Sequence, residues 1–205
     1  MSKFDQRAKI FITIMTIIIF SGLFSYSETY AFSRDSDEFG SFIGTFSTGV
    51  ATNFGGKYFR DYNFANPTVQ IGFLYNIWPL FGYDHDRLLG FGLSYRNSWL
   101  SSSEKESITV RHICFDAVLG LTDRSDNGSN FYYQLALGGL KITGDTVEES
   151  DLIIRMGFGY LFKPSFLSDK FSLNVSMLGD MTPGNNDYST NGFLMLFDIG
   201  IMYEF

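Results

Sequence analysis

The chain has 205 residues, with 15 Lys and Arg against 22 Asp and Glu, two His and a single Cys. This acidic balance argues against nucleic acid as a partner, because phosphates would be repelled. The lone Cys114 excludes an intramolecular disulfide framework and supplies no metal cluster, and the length suits one domain.

Residues 1–31 read as a cleaved export signal. Lys3, Arg7 and Lys9 make a positive start, Ile10 to Phe24 is an apolar run too short to span a bilayer as a helix, and small-x-small endings follow at Ser27 and Ala31. Either ending fits as the cleavage site. No cysteine follows the run, so a lipid anchor is not supported. The remaining segment, 32–205, carries 12 basic and 20 acidic side chains.

After residue 32 no segment shows a 3.6-residue apolar stripe, and 23 Phe, 12 Tyr and 21 Gly favour strands and turns. Alternation predicts eight strands. The first, Gly40–Val50, sets Phe42, Gly44 and Phe46 against Ser41, Thr45 and Ser47, with Ile43 as the exception. Residues 54–66 read as a connection ending at the turn signal Asn66-Pro67. The second strand carries Val69, Ile71, Phe73, Tyr75 and Ile77 on one row and stops before Pro79. Leu88–Trp99 opposes Leu89, Phe91, Leu93 and Tyr95 to Gly90, Gly92, Ser94 and Arg96. Ile108–Thr122 opposes Ile113, Phe115, Ala117 and Leu119 to His112, Cys114 and Asp116.

The fifth strand begins near Phe131. The sixth begins near Leu152 and holds Arg155 on its polar row; the seventh, Phe171–Met181, holds Asp180 on its own. The eighth is Phe193–Phe205: Phe193, Met195, Phe197, Ile199, Ile201, Tyr203 and Phe205 form an unbroken apolar row, with Asp198, Gly200 and Glu204 between them.

Eight half-apolar strands fit either a soluble barrel with its apolar row inside or a transmembrane barrel with that row outside. The polar row decides. It is rich in Gly, Ala, Ser, Asn and Gln and has few Lys or Glu, unlike a solvated surface but like the crowded lumen of a narrow barrel. The predicted fold is therefore all-β, an eight-stranded antiparallel up-and-down transmembrane β-barrel. With both chain ends in the periplasm, connections near 51–66, 101–107, 143–150 and 182–192 face outside. Those near 79–87, 123–129 and 163–170 are periplasmic. The first is the longest in this division, as expected of an outside loop.

On these grounds residues 39–205 resemble the small eight-stranded outer-membrane proteins of diderm bacteria: the OmpA transmembrane domain, OmpX and OmpW-like barrels. The ending Ile199-Gly200-Ile201-Met202-Tyr203-Glu204-Phe205 resembles the C-terminal signature read by the outer-membrane assembly machinery. The resemblance implies an outer-membrane location, outer-membrane lipids and that machinery as partners, and no cofactor.

Single charges of both signs on the polar rows, Arg96, Asp116, Arg155, Asp180 and Asp198, with Glu204 nearer the periplasm, are expected to form an interior network. They read as a plug that fixes barrel shape, or alternatively as a gated polar path. An envelope lipid enzyme would need a nucleophile beside a His and a carboxylate. Only His85 and His112 are present, and Cys114 stands two residues from His112 where a deacylase-type pattern has Ser. Asp84-His85-Asp86 are adjacent turn residues that do not converge on one metal ion. The expected function is thus non-enzymatic, structural or ligand-contacting: a rigid barrel whose surface loops, with Lys57, Tyr58, Phe59, Arg60, Asp61 and Tyr62 among them, contact the environment or a host ligand. The alternatives are a small channel for small or apolar solutes and, third, the lipid enzyme.

Overall fold

The computed structural model describes residues 41–56, 59, 61–77, 88–120, 130–164, 166, 168, 170–182 and 192–205. The export segment, Asp84-His85-Asp86, Lys57, Tyr58 and Arg60 lie outside the described residues. Eight strands follow one another: β1 (Ser41–Gly56), β2 (Asn66–Asn76), β3 (Leu89–Leu100), β4 (Ile108–Gly120), β5 (Asn130–Thr143), β6 (Glu148–Phe162), β7 (Phe171–Thr182) and β8 (Gly192–Glu204). Each pairs antiparallel with its neighbour, and β1 pairs with β8 from Ile43↔Glu204 to Gly56↔Gly192, closing the barrel. Closure leaves no sheet edge for lipid to meet.

The side chains are inverted relative to a soluble barrel. Ile71, Phe73, Ile113, Phe115, Phe158, Val175 and Ile199 are exposed on the outer wall. Arg96, Arg155, Asp180 and Asp198 are buried inside it. Aromatic side chains crowd the rim where β1 begins and β8 ends: Phe42 packs on Tyr75, Phe131 on Tyr160, and Phe171 on Tyr203, with ring centroids 4.6–4.8 Å apart. Such amphipathic rings suit a bilayer interface.

Three boundaries differ most from the periodicity reading. β1 runs on to Gly56 through a bulge between Asn53 and Gly55, and Asn66-Pro67 open β2 instead of ending a loop. The bulge lets the strand stay paired with β8 where alternation is lost. Pro67 is tolerated because it stands at the start of its strand. β6 likewise begins at Glu148, so the β5–β6 connection is only 144–147. The first connection shrinks to 57–65 and is shorter than 77–88 at the opposite rim. Loop length therefore gives no support to the orientation.

Strand length explains these extensions. A 15-residue strand such as β6, tilted about 45°, rises about 35 Å, whereas the apolar band of an outer-membrane barrel is about 25 Å tall. The surplus stands at the loop rim, the end carrying 57–65, 101–107 and 144–147.

Inside, Tyr132 lies over Gly159, its direct partner on β6, and its hydroxyl donates to Asn174 Oδ1 on β7 at 3.0 Å. A Cβ at 159 would come within 2.3 Å of the Tyr132 ring, so the glycine is required by the close approach of that ring. Gly159→Val is expected to displace Tyr132 and abolish the compact, heat-modifiable form on unboiled gels, while Tyr132→Phe retains it. A Gly159→Val protein that migrates like wild type would contradict this packing.

Candidate functional site

Two arginines organise the middle of the lumen. Arg96 projects inward from β3 and meets Asp198 of β8 in a two-pronged ion pair, Nη1 to Oδ1 at 3.0 Å and Nη2 to Oδ2 at 2.6 Å. Gly49 stands opposite Asp198 on β1, and a Cβ there would lie 1.9 Å from the Phe197 carbonyl oxygen and 2.7 Å from the Asp198 carboxylate, so the close approach of the β8 backbone, and of the carboxylate it carries, needs a glycine at that place. Arg155 of β6 makes the second fork with its cross-strand partner Asp180 on β7, Nε to Oδ1 at 2.6 Å and Nη2 to Oδ2 at 2.9 Å. His112 Nδ1 lies 2.8 Å from Asp180 Oδ2 and 3.0 Å from Arg155 Nη2.

Gln70 joins the two pairs. Its Oε1 accepts from Arg96 Nε at 3.0 Å and from Arg155 Nη1 at 3.3 Å, while Thr68 Oγ1 accepts from Arg96 Nη1 at 3.3 Å. The layer thus spans β2, β3, β4, β6, β7 and β8. Bidentate guanidinium–carboxylate pairs are the strong form of this contact, and full pairing is what makes buried charge tolerable.

Of the six charges named from the sequence, Arg96, Arg155, Asp180 and Asp198 are brought together. Asp116 instead accepts from Gln134 Nε2 at 2.6 Å and lines a chamber of about 20 Å³ with Ser94, Asn174, Ser176 and Tyr132. That is room for about one water-sized occupant. Glu204 accepts from the Ser41 hydroxyl at 2.5 Å, six residues and roughly 20 Å along β8 from Asp198. Gln70, Thr68 and His112 join the charge layer without having been assigned to it. Their inward parity, shared with Leu74 and Asp116, was the available signal.

The layer lies between two apolar ones. Toward the loop rim, Ala51, Leu100, Ile108, Val110, Leu140, Ile142, Ile153, Leu194 and Leu196 fill the lumen. Phe59 and Tyr62 of the first loop descend onto them. Toward the opposite rim, Ile43, Leu74, Leu88, Val118, Leu161 and Met202 pack with Tyr132. The interior is therefore not polar along its whole height. At the loop rim the alternation reverses: Ile108 and Val110 share the inward parity of His112, while Arg111 and Lys141 share the outward parity of Ile113 and Leu137. From there upward the wall has left the hydrocarbon layer and is built like a soluble barrel.

The loops are tied to this rim. Asn53 Nδ2 donates to Tyr62 O at 2.7 Å, Asn63 N to Ser101 O at 2.8 Å, and Lys105 pairs with Asp61 at 2.6 Å. Glu106 accepts from the Thr146 hydroxyl at 2.7 Å and from its amide at 2.9 Å, contacts that hold its carboxyl below the ordinary glutamate range. Of the first-loop residues expected to meet a ligand, Phe59 and Tyr62 are buried in the barrel mouth.

His112 and Cys114 are both buried inside the wall. The His112 ring spends Nδ1 on the Asp180–Arg155 pair. Among the described residues no group of three or more His, Cys, Asp or Glu could hold a metal ion.

Removing one partner of the Arg155–Asp180 pair strands the other in a dry lumen, which costs about 3–5 kcal/mol, whereas replacing both by apolar groups is far milder. In urea unfolding from detergent, Arg155→Met is expected to lose stability of that order, and Arg155→Met/Asp180→Leu to recover most of it. Equal losses in the single and double variants would contradict the pairing.

No family model matches the chain, and no curated protein matches it in sequence. Solved structures do match. Ail, the attachment invasion locus protein of Yersinia pestis, is 14% identical with a TM-score of 0.46, over 81% of this chain and 97% of that one. The N-terminal β-barrel domain of Pseudomonas aeruginosa OprF is 14% identical with a TM-score of 0.46, over 82% and 100%. The outer-membrane enzyme PagL is 11% identical with a TM-score of 0.48, over 78% and 98%. These similarities concern the barrel fold, and no functional residue is carried over from them. By its own strand order, closure and inverted polarity, the chain is an eight-stranded transmembrane β-barrel.

Proposed function

We propose that the protein is an integral outer-membrane barrel without catalytic or channel activity, which holds its loop rim outside the cell to contact an extracellular ligand. The observation that carries this reading is the cross-section of the lumen: a closed layer of forked ion pairs between two apolar layers, the upper one capped by Phe59 and Tyr62. Ions or polar solutes passing such a stack would have to break buried ion pairs and cross dry apolar packing, both costly. An eight-stranded lumen is about filled by side chains in any case.

The ties among 61–66, 101–106 and 146 support the second half of the reading. They hold separate connections in one fixed surface, and a pre-ordered surface binds with less entropic loss. The start of β1 and the end of β8 lie at the aromatic rim, and placing that rim in the periplasm turns the tied loops outward. An export signal at 1–31 and assembly through the strand ending at Phe205 belong to the same proposal.

Wild-type protein in planar bilayers is expected to show no conductance steps. Discrete openings in wild type that disappear in Leu196→Trp would replace this reading with the small channel. On intact cells, a maleimide too large to cross the outer membrane is expected to label Glu104→Cys. Phe166→Cys, 82% exposed at the other rim, should react only after the membrane is opened. The opposite pattern would reverse the orientation.

A further inference from the structure

At the loop rim of β3–β6, Asn97, Arg111, Lys141 and Ser150 stand side by side on one rung of the outer wall, each the direct cross-strand partner of the next. The rung below is Tyr95, Ile113, Gly139 and Leu152, and below that come Leu93, Phe115, Leu137 and Ile154. The change from apolar to cationic between adjacent rungs marks the headgroup level on this side of the barrel. Trp99, on the rung above, has the side chain most often found at that depth.

Gly139 breaks an otherwise bulky wall. Its neighbours Ile113 and Leu152 are 62% and 50% exposed, and a Cβ at 139 would meet nothing within 4 Å. The result is a notch one residue long between Ile113 and Leu152, bounded below by Leu137, with Arg111 and Lys141 on the rung above it. Like charges directly opposite each other on paired strands repel. Arg111 has no carboxylate partner among the described residues, and Lys141 shares an exposed pair with Glu148 at 2.6 Å, a contact that exchanges readily with solvent or another anion. Two adjacent cations at headgroup depth are complementary to one phosphate, which both can bind by charge-assisted hydrogen bonds.

We infer that this patch is a docking site for lipid A, the phosphorylated, multiply acylated glycolipid of the outer leaflet. One phosphate sits between Arg111 and Lys141, Asn97 and Ser150 flank it as polar neighbours, and one acyl chain lies in the notch over Gly139. The choice of lipid A over a phospholipid rests on the orientation proposed above, which puts this rim in the outer leaflet.

The test is native mass spectrometry of the mature barrel refolded in detergent and offered lipid A, phosphatidylglycerol and phosphatidylcholine at equal concentration. Wild type is expected to retain one lipid A in preference to both phospholipids. Arg111→Gln/Lys141→Gln should lower that occupancy about tenfold or more. Gly139→Leu, whose side chain enters open space and spares the fold, should lower it as well by filling the notch. Heat-modifiable migration confirms folding of each variant. Undiminished lipid A retention in the double variant, or phosphatidylglycerol held as well as lipid A, would overturn the inference. Because binding in detergent does not depend on which rim faces outward, a reversed labelling pattern on cells and a failure here are separate results.

Discussion

The structure depends on one constraint: the barrel wall is committed to lipid, so the charges placed inward must be met by polar or charged partners inside the lumen. Arg96 and Arg155 could not remain as single cations in that space. Each is forked onto one carboxylate, and Gln70 Oε1 accepts from both guanidinium groups and holds the two pairs in register. Arg155 and Asp180 face each other on the consecutive strands β6 and β7, but Arg96 meets Asp198 from β3 to β8, so the layer satisfies all of its charges only when the sheet has curled round to close. Such a layer adds little net stability over an apolar core of the same shape, but it penalises every wrong register by leaving a charge unpaired.

The second theme is that the barrel changes character along its axis. Over the middle and the aromatic rim it is inside-out, with Phe, Ile and Leu facing lipid. Near the loop rim the inward row turns to Ile, Leu and Val, and the outward row to Arg, Lys and Thr. The physical cause is length: all strands but the 11-residue β2 have 12–16 residues, more than the roughly 9–11 the bilayer needs, and the surplus must fold by the rules of water. That upper, water-facing section has its own apolar core, into which the first loop sends Phe59 and Tyr62.

Strand count, antiparallel order, closure and the direction of the alternation were all legible in the sequence, because a period of two over ten residues admits one reading once the small, uncharged polar row is recognised as a lumen. What was not legible lay where the period fails. The bulge at Asn53–Gly55 hid the end of β1, and Pro67 imitated a loop. The apolar upper plug was hidden differently: Ile108 and Val110 on β4 and Leu194 and Leu196 on β8 share the inward rows of His112 and Asp198, and only their clustering at one end of these strands reveals them. In the charge layer, parity identified which residues point inward, but pairing is set by strand stagger around the barrel. Asp116 therefore met Gln134 on the neighbouring strand and remained below the arginines.

The most direct test of the account is collision accessibility of single nitroxides along the outward row of β4, at Thr109, Arg111, Ile113, Phe115 and Leu119, in a Cys114→Ala barrel reconstituted in lipid. The account predicts that Ile113, Phe115 and Leu119 are relaxed by membrane-soluble oxygen and shielded from a water-soluble nickel complex, with the preference inverting at Arg111 and Thr109. Ready access of nickel to Phe115 would contradict a lipid-facing wall, and with it the reason the charges are inside.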